Sequence, residues 1–415
     1  VRRALIDLVA PPFAGHLHPL LGIGRRLALD HEVRVISTER ALPEVAGAQL
    51  TGLPLLRGRD REIAAIVDGP RAVRSHPLRL HAQLQANLAL LEQFRAELRE
   101  VWARQRPDLL IADLTLPVAG AVAGEMGVPW WTSHPSPCVV ETPDGPPAYL
   151  GGWRPGGGAL GRCRDAAGRA LVRAFKRGVH RLHRRQLARL GFPALYRADG
   201  SEAVYSGERV LALGTRELEF PRRWPAAVEL VGPVLYTPPG APQEQPVPFV
   251  PGRRHVLVTL GTHLAWRKDA MAAAARRAAR DLDGVEIHMS DGERWSERRE
   301  SEGSFHRLGY VPYATCIEHY DLVVHHGGTG VLYHTLRAGK PALVAPIDYD
   351  QFDHAARLEA AGLARRLRWR RDLAPQIAAA LADRQLLATC RRFQGVLAGY
   401  QAEERIAALV AARVK

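Results

Sequence analysis

A chain of 415 residues, 47% of them apolar, is long enough for two α/β domains, each with its own core. No run is long and apolar enough to span a bilayer and no signal-peptide pattern opens the chain, so a cytoplasmic location is expected. Cys138, Cys163, Cys316 and Cys390 form no CxxC pair and have no histidine at ligand spacing, which argues against a disulfide or zinc framework, and the net charge of +14 accompanies no nucleic-acid-binding pattern.

Ala4 to Ala10 reads as a buried strand, Pro11 to His16 as the loop after it, and a helix is predicted from about His18 to Leu29. A strand, a turn and a helix open a Rossmann-type unit. Gly22-Ile-Gly24 falls inside the helix and not in the turn, which argues against a dinucleotide-dependent dehydrogenase. A basic amphipathic helix follows around His81 to Arg104, then a strand from Pro107 to Asp113 that ends in a carboxylate. In an open α/β sheet that end faces the ligand cleft. No GxSxG elbow occurs, so a Ser-His-Asp hydrolase is disfavoured.

From Trp130 to about Gly200 the periodicity loosens, with a Gly- and Pro-rich loop from Pro143 to Gly158. Arg162 to Leu190 is strongly cationic and sets Leu171, Val172, Phe175, Val179 and Leu182 at helical spacing. The expected arrangement packs that stripe on the domain and leaves the arginines in water; the alternative lays the helix on anionic lipid as a weak membrane contact. Short strands are predicted at Val210–Gly214 and Glu229–Gly232, and the proline-dense stretch from Pro233 to Pro251 reads as an interdomain linker.

The second half opens with a strand at His255–Leu260 followed by Gly261-Thr262, a helix at Met271–Arg280 and a strand at Val285–Met289. Asp321 to His326 is short, β-branched and bounded by glycine, the pattern of a buried parallel strand. Gly327, Gly328 and Gly330 leave backbone N–H groups unshielded, and Val331 to Ala338 carries helical spacing. The turn therefore stands at a helix N-terminus, which attracts phosphate. His326 can donate to one phosphate of a diphosphate while Thr329 and the loop amides hold the other. Beyond the next strand, Pro341 to Pro346, Asp350 and Gln351 pair a carboxylate with a carboxamide, which suits the vicinal hydroxyls of a hexose. Asp281-Leu-Asp283 and Asp348-Tyr-Asp350 match a metal-holding DxD pattern, but one falls in a turn that favours Asp and the other overlaps the sugar motif, so no metal is expected at either.

Tyr310, Pro312, His319, His326, Gly328, Pro346 and Asp350-Gln351 together resemble the donor-binding signature of the nucleotide-sugar-dependent glycosyltransferases of the GT-B fold, the family of plant and bacterial natural-product glycosyltransferases. Gly15-His16-Leu-His-Pro19 is similar to the GHxxP element of the same family. The resemblance implies an α/β GT-B fold of two Rossmann-like domains facing each other across a cleft. It places an acceptor-binding domain at 1–235, a linker at 236–252, a donor-binding domain at 253–395, and a helix within 396–415 that returns to the first domain.

By the same resemblance Gly261, Thr262, His326, Gly328, Thr329, Gly330 and Val331 would hold the diphosphate. Tyr310 would face the base, His334 the pentose, and Asp350 and Gln351 the sugar, with Gly15 and Val311 also on the donor side. His16 would take the proton from the acceptor hydroxyl and Asp113 would orient it, with Trp131, Ser133 and His134 on the acceptor side. Read alone, His16 also fits a structural loop histidine, Asp113 a helix N-cap and the Trp131 group ordinary core; His18 is a neighbouring competitor for the base.

Two positions depart from the family pattern: Tyr313 replaces a common Gln, and His334 a Glu that grips both ribose hydroxyls. A neutral imidazole accepts one hydrogen bond where a carboxylate accepts two, so either the donor is a deoxythymidine diphosphate sugar, whose pentose lacks the 2′-hydroxyl, or it is a UDP sugar whose ribose recognition is weakened. The implied activity is inverting transfer of a hexose or deoxyhexose to a small lipophilic acceptor, with no cofactor beyond the sugar donor and no nucleic-acid partner, by a monomer or homodimer. The alternatives are an epimerase of the same fold or a non-catalytic nucleotide-sugar or lipid-binding protein.

Overall fold

Alternating apolar runs and helices build two seven-stranded sheets in the computed structural model, which describes residues 3–67, 77–237, 239 and 246–414. Each sheet belongs to its own unit. Among the described residues the first unit takes 3–66, 77–237, 239 and 401–414, and the second 67 and 246–400. Positions 238 and 240–245 of the expected linker lie outside the described residues.

The first sheet comprises Leu5–Val9 (β1), Glu32–Ser37 (β2), Thr51–Pro54 (β3), Leu109–Asp113 (β4), Trp130–His134 (β5), Val210–Ala212 (β6) and Val228–Leu230 (β7). All are parallel, in the order β3-β2-β1-β4-β5-β6-β7, so the chain leaves β1 on one side and returns at β4 on the other. The crevice beyond the carboxyl ends of β1 and β4 is the topological switch point where such sheets bind ligands.

Strand alternation sorts the core into two layers. Leu8 of β1 and Leu109 and Ile111 of β4 pack with Leu17, Leu20 and Leu21 of the helix Ala14–Leu27 and with Ile406 and Val410 of the last helix, Ala402–Arg413. Val9 and Leu110 face the other way, onto Phe94, Leu98 and Trp102 of the helix Pro77–Arg104 and Val118 and Val122 of Pro117–Glu125. Asp113 shares the parity of Leu109 and Ile111, which turns its carboxylate toward the helix Ala14–Leu27.

That helix begins at Ala14, four residues before the expected His18. Its first turn closes ahead of Pro19, with the Phe13 carbonyl accepting from the His16 N–H at 2.9 Å and from the Leu17 N–H at 2.8 Å. The proline only deprives the Gly15 carbonyl of a backbone donor. Gly22 and Gly24 serve packing: a Cβ at Gly22 would stand 2.7 Å from Val234 Cγ1, and one at Gly24 2.8 Å from Leu8 Cδ1.

The cationic segment departs further from expectation. It forms a helix at Gly158–Leu182 and a short one at Arg184–Arg189; of the expected stripe Val172 and Val179 are half-buried, but Leu171, Phe175 and Leu182 point outward, with Leu171 62% and Leu182 69% exposed. Its charged face turns inward because the domain supplies buried acids: Lys176 Nζ is 2.6 Å from both Glu141 and Glu202, and Arg173 Nε is 2.9 Å from Glu141.

The second sheet comprises Arg254–Thr259 (β8), Val285–Ser290 (β9), Arg299–Glu302 (β10), Phe305–Leu308 (β11), Leu322–His325 (β12), Ala342–Val344 (β13) and Ala364–Arg366 (β14). Its order is β10-β11-β9-β8-β12-β13-β14, parallel except for the β10–β11 pair, and it repeats the switch, here between β8 and β12. Among the described residues no helix is long and apolar enough to cross a membrane.

Candidate active site

At the first switch point the turn after β1 and the end of β4 bring His16 and Asp113 together. Nδ1 of His16 lies 3.0 Å from each carboxylate oxygen of Asp113, and Oδ1 also accepts from the Thr115 backbone N–H at 2.9 Å and its hydroxyl at 2.6 Å. Burial pushes the Asp113 pKa up, but the His16 ring and the Thr115 hydrogen bonds outweigh it and hold the carboxyl below its usual range. Asp113 is buried while the His16 side chain is 30% exposed, so the ring is anchored through Nδ1 and part of it reaches solvent. Gly15, beside it, has open space where a Cβ would stand. His18 is engaged elsewhere, its Nε2 2.8 Å from Glu44.

The three residues of β5 expected on the acceptor side separate. Trp131 lies in the core, its indole N–H donating to Glu208 at 3.0 Å beneath the Arg209 guanidinium. Ser133 is paired in register with Asp113 and buried, its Oγ without a hydrogen-bond partner among the described residues. His134 takes the opposite parity and is fully buried against the edge of Tyr205, with ring centroids 5.0 Å apart. Nearby, the loop after β5 and the helix Gly158–Leu182 form a small pocket lined by Val139, Thr142, Pro147, Tyr149, Arg169 and Val172.

At the second switch point the turns after β8 and β12 meet. The ring of His326 lies between Gly261 and Gly328, so close that a Cβ at Gly261 would be 2.7 Å from its Cε1. Gly261 also holds φ at +72°, open to glycine at no steric cost. Burial, then the charges of His263 and Lys268, push the His326 pKa down to about 4, and its Nδ1 is buried without a hydrogen-bond partner among the described residues. His325 is fully buried, its pKa driven down to about 3 by burial, and its Nδ1 accepts from the Gly327 N–H at 3.1 Å, which fixes the turn. The helix Thr329–Arg337 starts there, one residue after the Gly328 cap and two before the expected Val331. Its first N–H groups, on Thr329, Gly330 and Val331, have no partner within the helix. The Val331 side chain is core, while Gly330 is exposed. Thr262 is exposed as well.

The remaining expected donor residues divide. Tyr310 is half-buried, whereas the Val311 side chain is wholly in the core and can offer only its backbone. Tyr313 donates to or accepts from Thr259 at 3.0 Å, and its ring centroid is 6.0 Å from that of His334. Gln351 also shapes its own loop: its Oε1 accepts from the Ile347 and Asp348 N–H groups at 2.9 and 3.0 Å. Asp350, 26% exposed, stands 3.5 Å from Nε2 of the buried His354.

Thr115, His325 and His354 escaped the sequence reading. Thr115 had a signal, since a hydroxyl two residues after Asp is a common side-chain-to-backbone turn. His354 had another, its i, i+4 relation to Asp350 on a helix. His325 looked like any strand residue.

Residues 255–390 match the family described as the glycosyltransferase family 28 C-terminal domain. The chain is 27% identical over 404 residues to the zeaxanthin glucosyltransferase of Pseudescherichia vulneris, covering 93% of this chain and 92% of that protein. Its structure resembles that of the kitacinnamycin glycotransferase with a TM-score of 0.76 at 21% identity, covering all of both chains. It also resembles a glycosyltransferase from Streptomyces sp. SF2575 complexed with thymidine diphosphate, with a TM-score of 0.66 at 19% identity over 99% of this chain and 100% of that one. With its two Rossmann-like sheets and the signature around His326, the chain has the GT-B fold and is similar to the glycosyltransferases built on it.

Proposed function

We propose that this chain moves a hexose or deoxyhexose from a dTDP- or UDP-linked donor to a hydroxyl of a small lipophilic acceptor, with inversion, without a metal, and with His16 as general base. The observation that carries this reading is the His16–Asp113 pair at 3.0 Å beyond the carboxyl end of β4. Nδ1–H donated to the carboxylate leaves the ring's other nitrogen, Nε2, in the accepting tautomer. Nε2 takes the acceptor proton as the acceptor oxygen bonds to the anomeric carbon, and Asp113 stabilises the imidazolium.

The bond from the anomeric carbon to the diphosphate breaks in the same step, and the departing oxygen keeps the electron pair. The amides of Thr329, Gly330 and Val331 and the dipole of their helix receive that charge, with His326, neutral at physiological pH, donating one hydrogen bond. One displacement turns an α-linked donor into a β-glycoside. Asp350 and the Nε2 amide of Gln351 are assigned to the sugar hydroxyls, and the loop after β5 to the acceptor side.

The dTDP preference is supported by His334 in place of a carboxylate and by the fold neighbour complexed with thymidine diphosphate. A thermal-shift panel of UDP, dTDP and GDP in EDTA tests the donor side: stabilisation by dTDP is expected, and stabilisation by none of them would remove it. Proton NMR of a product made in EDTA tests the chemistry. A large diaxial H1–H2 coupling in a glucoside confirms inversion of an α-linked donor, and retention or an EDTA-sensitive rate contradicts the reading.

A further inference from the structure

The helix Gly158–Leu182 is mounted with its polar side in and its apolar side out. Inward, Arg173 and Lys176 pair with Glu141 and Glu202, His180 Nε2 lies 3.1 Å from the Phe192 carbonyl, and Asp165 accepts from the Gly156 N–H at 2.8 Å. Gly168 packs so closely on Pro147 and Trp153 that a Cβ there would stand 2.6 Å from Pro147 Cγ. These contacts fix the rotation of the helix, so the outward stripe is not one that a small roll would bury. Along it Leu160 is 88% exposed, Leu171 62%, Phe175 49% and Leu182 69%, with Ala167 and Ala174 exposed between them. Exposed apolar groups lined up on one helix face, not scattered singly, mark an interaction surface.

The charges beside the stripe identify the partner. Arg177 and Arg181 are exposed one turn apart along the same helix, and Arg184 and Arg185 are exposed just past the break at His183. Among the described residues Arg181, Arg184 and Arg185 have no acidic partner, and Arg177 has only the ring of Tyr196, at 5.5 Å. A second copy of the chain would bring the same arginines against these, at an electrostatic cost, and the net charge of +14 disfavours self-association further. An anionic lipid surface satisfies both halves of the face: acyl chains take the leucines and phenylalanine, and headgroup phosphates take the arginines.

We infer that the outer face of the helix Gly158–Leu182, with the arginines that continue it, docks this protein reversibly on membranes that carry anionic lipid. The inference is independent of the catalytic reading.

Co-sedimentation of the full chain with vesicles of phosphatidylcholine, alone or mixed with phosphatidylglycerol, tests it. Binding to the mixed vesicles only, weakened by salt, is expected. Arg181→Glu with Arg184→Glu should weaken it at least about fivefold. Leu171→Asp with Phe175→Asp should abolish it, and so should Leu160→Asp with Leu182→Asp, in proteins whose thermal melts match the parent. Three outcomes overturn the inference: a parent that stays in the supernatant with both vesicles, apolar variants that bind as the parent does, or a dimer in sedimentation velocity that these substitutions dissolve while vesicle binding is absent.

Discussion

The imidazole of His326 lies over Gly261 with no room for a side chain: a Cβ at position 261 would approach its Cε1 to 2.7 Å. The two residues follow β12 and β8, the neighbours at the switch point of the second sheet, so the glycine is what lets the histidine stand beside the helix Thr329–Arg337.

Gly261→Ala should therefore cost more than its left-handed backbone, φ +72°, would alone, which is about 1–2 kcal/mol. Calorimetric titration with dTDP should show at least about tenfold weaker binding, the factor that 1.4 kcal/mol represents. Unchanged affinity would mean that the ring does not contact the nucleotide.

Asp113→Asn keeps the shape beside His16 but can present N–H instead of an acceptor to Nδ1, favouring the wrong tautomer. The turnover number should fall by about a thousandfold or more with nucleotide affinity unchanged. Thr115→Val should have a smaller effect of the same kind, because the carboxylate loses one of its hydrogen bonds.

Acid should destabilise the second unit. His288, pushed down to about 3 by burial and then by His306, His255 and Arg299, and His325, also at about 3, remain neutral when folded but charge near 6.5 when unfolded. Between those values the unfolded chain binds more protons, so stability rises with pH and is lost as pH falls from 6.5 toward 3, by up to about 1.4 kcal/mol per pH unit for each group. Urea unfolding at a series of pH values should show this slope, flattened in His325→Asn, whose Oδ1 can still accept from Gly327.

His334→Glu supplies a two-acceptor carboxylate where the imidazole now stands beside Tyr313. The ratio of UDP to dTDP affinity should rise by about tenfold, and competition binding measures it. A ratio that does not move would place the pentose elsewhere.

Much of this was legible in the sequence because period and punctuation carried it. Strands β1, β4, β8, β9, β12 and β13, both switch-point turns and the carboxylate closing β4 follow from short apolar runs bounded by Gly, His or Asp, whereas β2, β3, β10, β11 and β14 were not read. The early start of the helix Ala14–Leu27 was hidden because Pro19 looks like a first-turn residue, whereas the Phe13 carbonyl closes the turn several residues sooner. Trp131 and Val311 were assigned to the site from neighbouring motif positions, but strand parity and core packing bury their side chains.

The inverted helix Gly158–Leu182 was illegible for a different reason. Helical spacing shows that two faces exist and nothing about which is inward. Glu141 and Glu202, distant in sequence, decide that by drawing in Lys176 and Arg173. Likewise the role of Gln351 in closing its own loop depends on a turn at Tyr349, φ +52°, that composition does not announce.

The most direct test of the central claim is His16→Ala measured twice, by calorimetric titration with dTDP and by single-turnover transfer. Unchanged nucleotide affinity with transfer reduced about a hundredfold or more is the predicted result, the scale of a lost general base. Transfer at the parent rate would contradict it and strip the His16–Asp113 pair of its catalytic role.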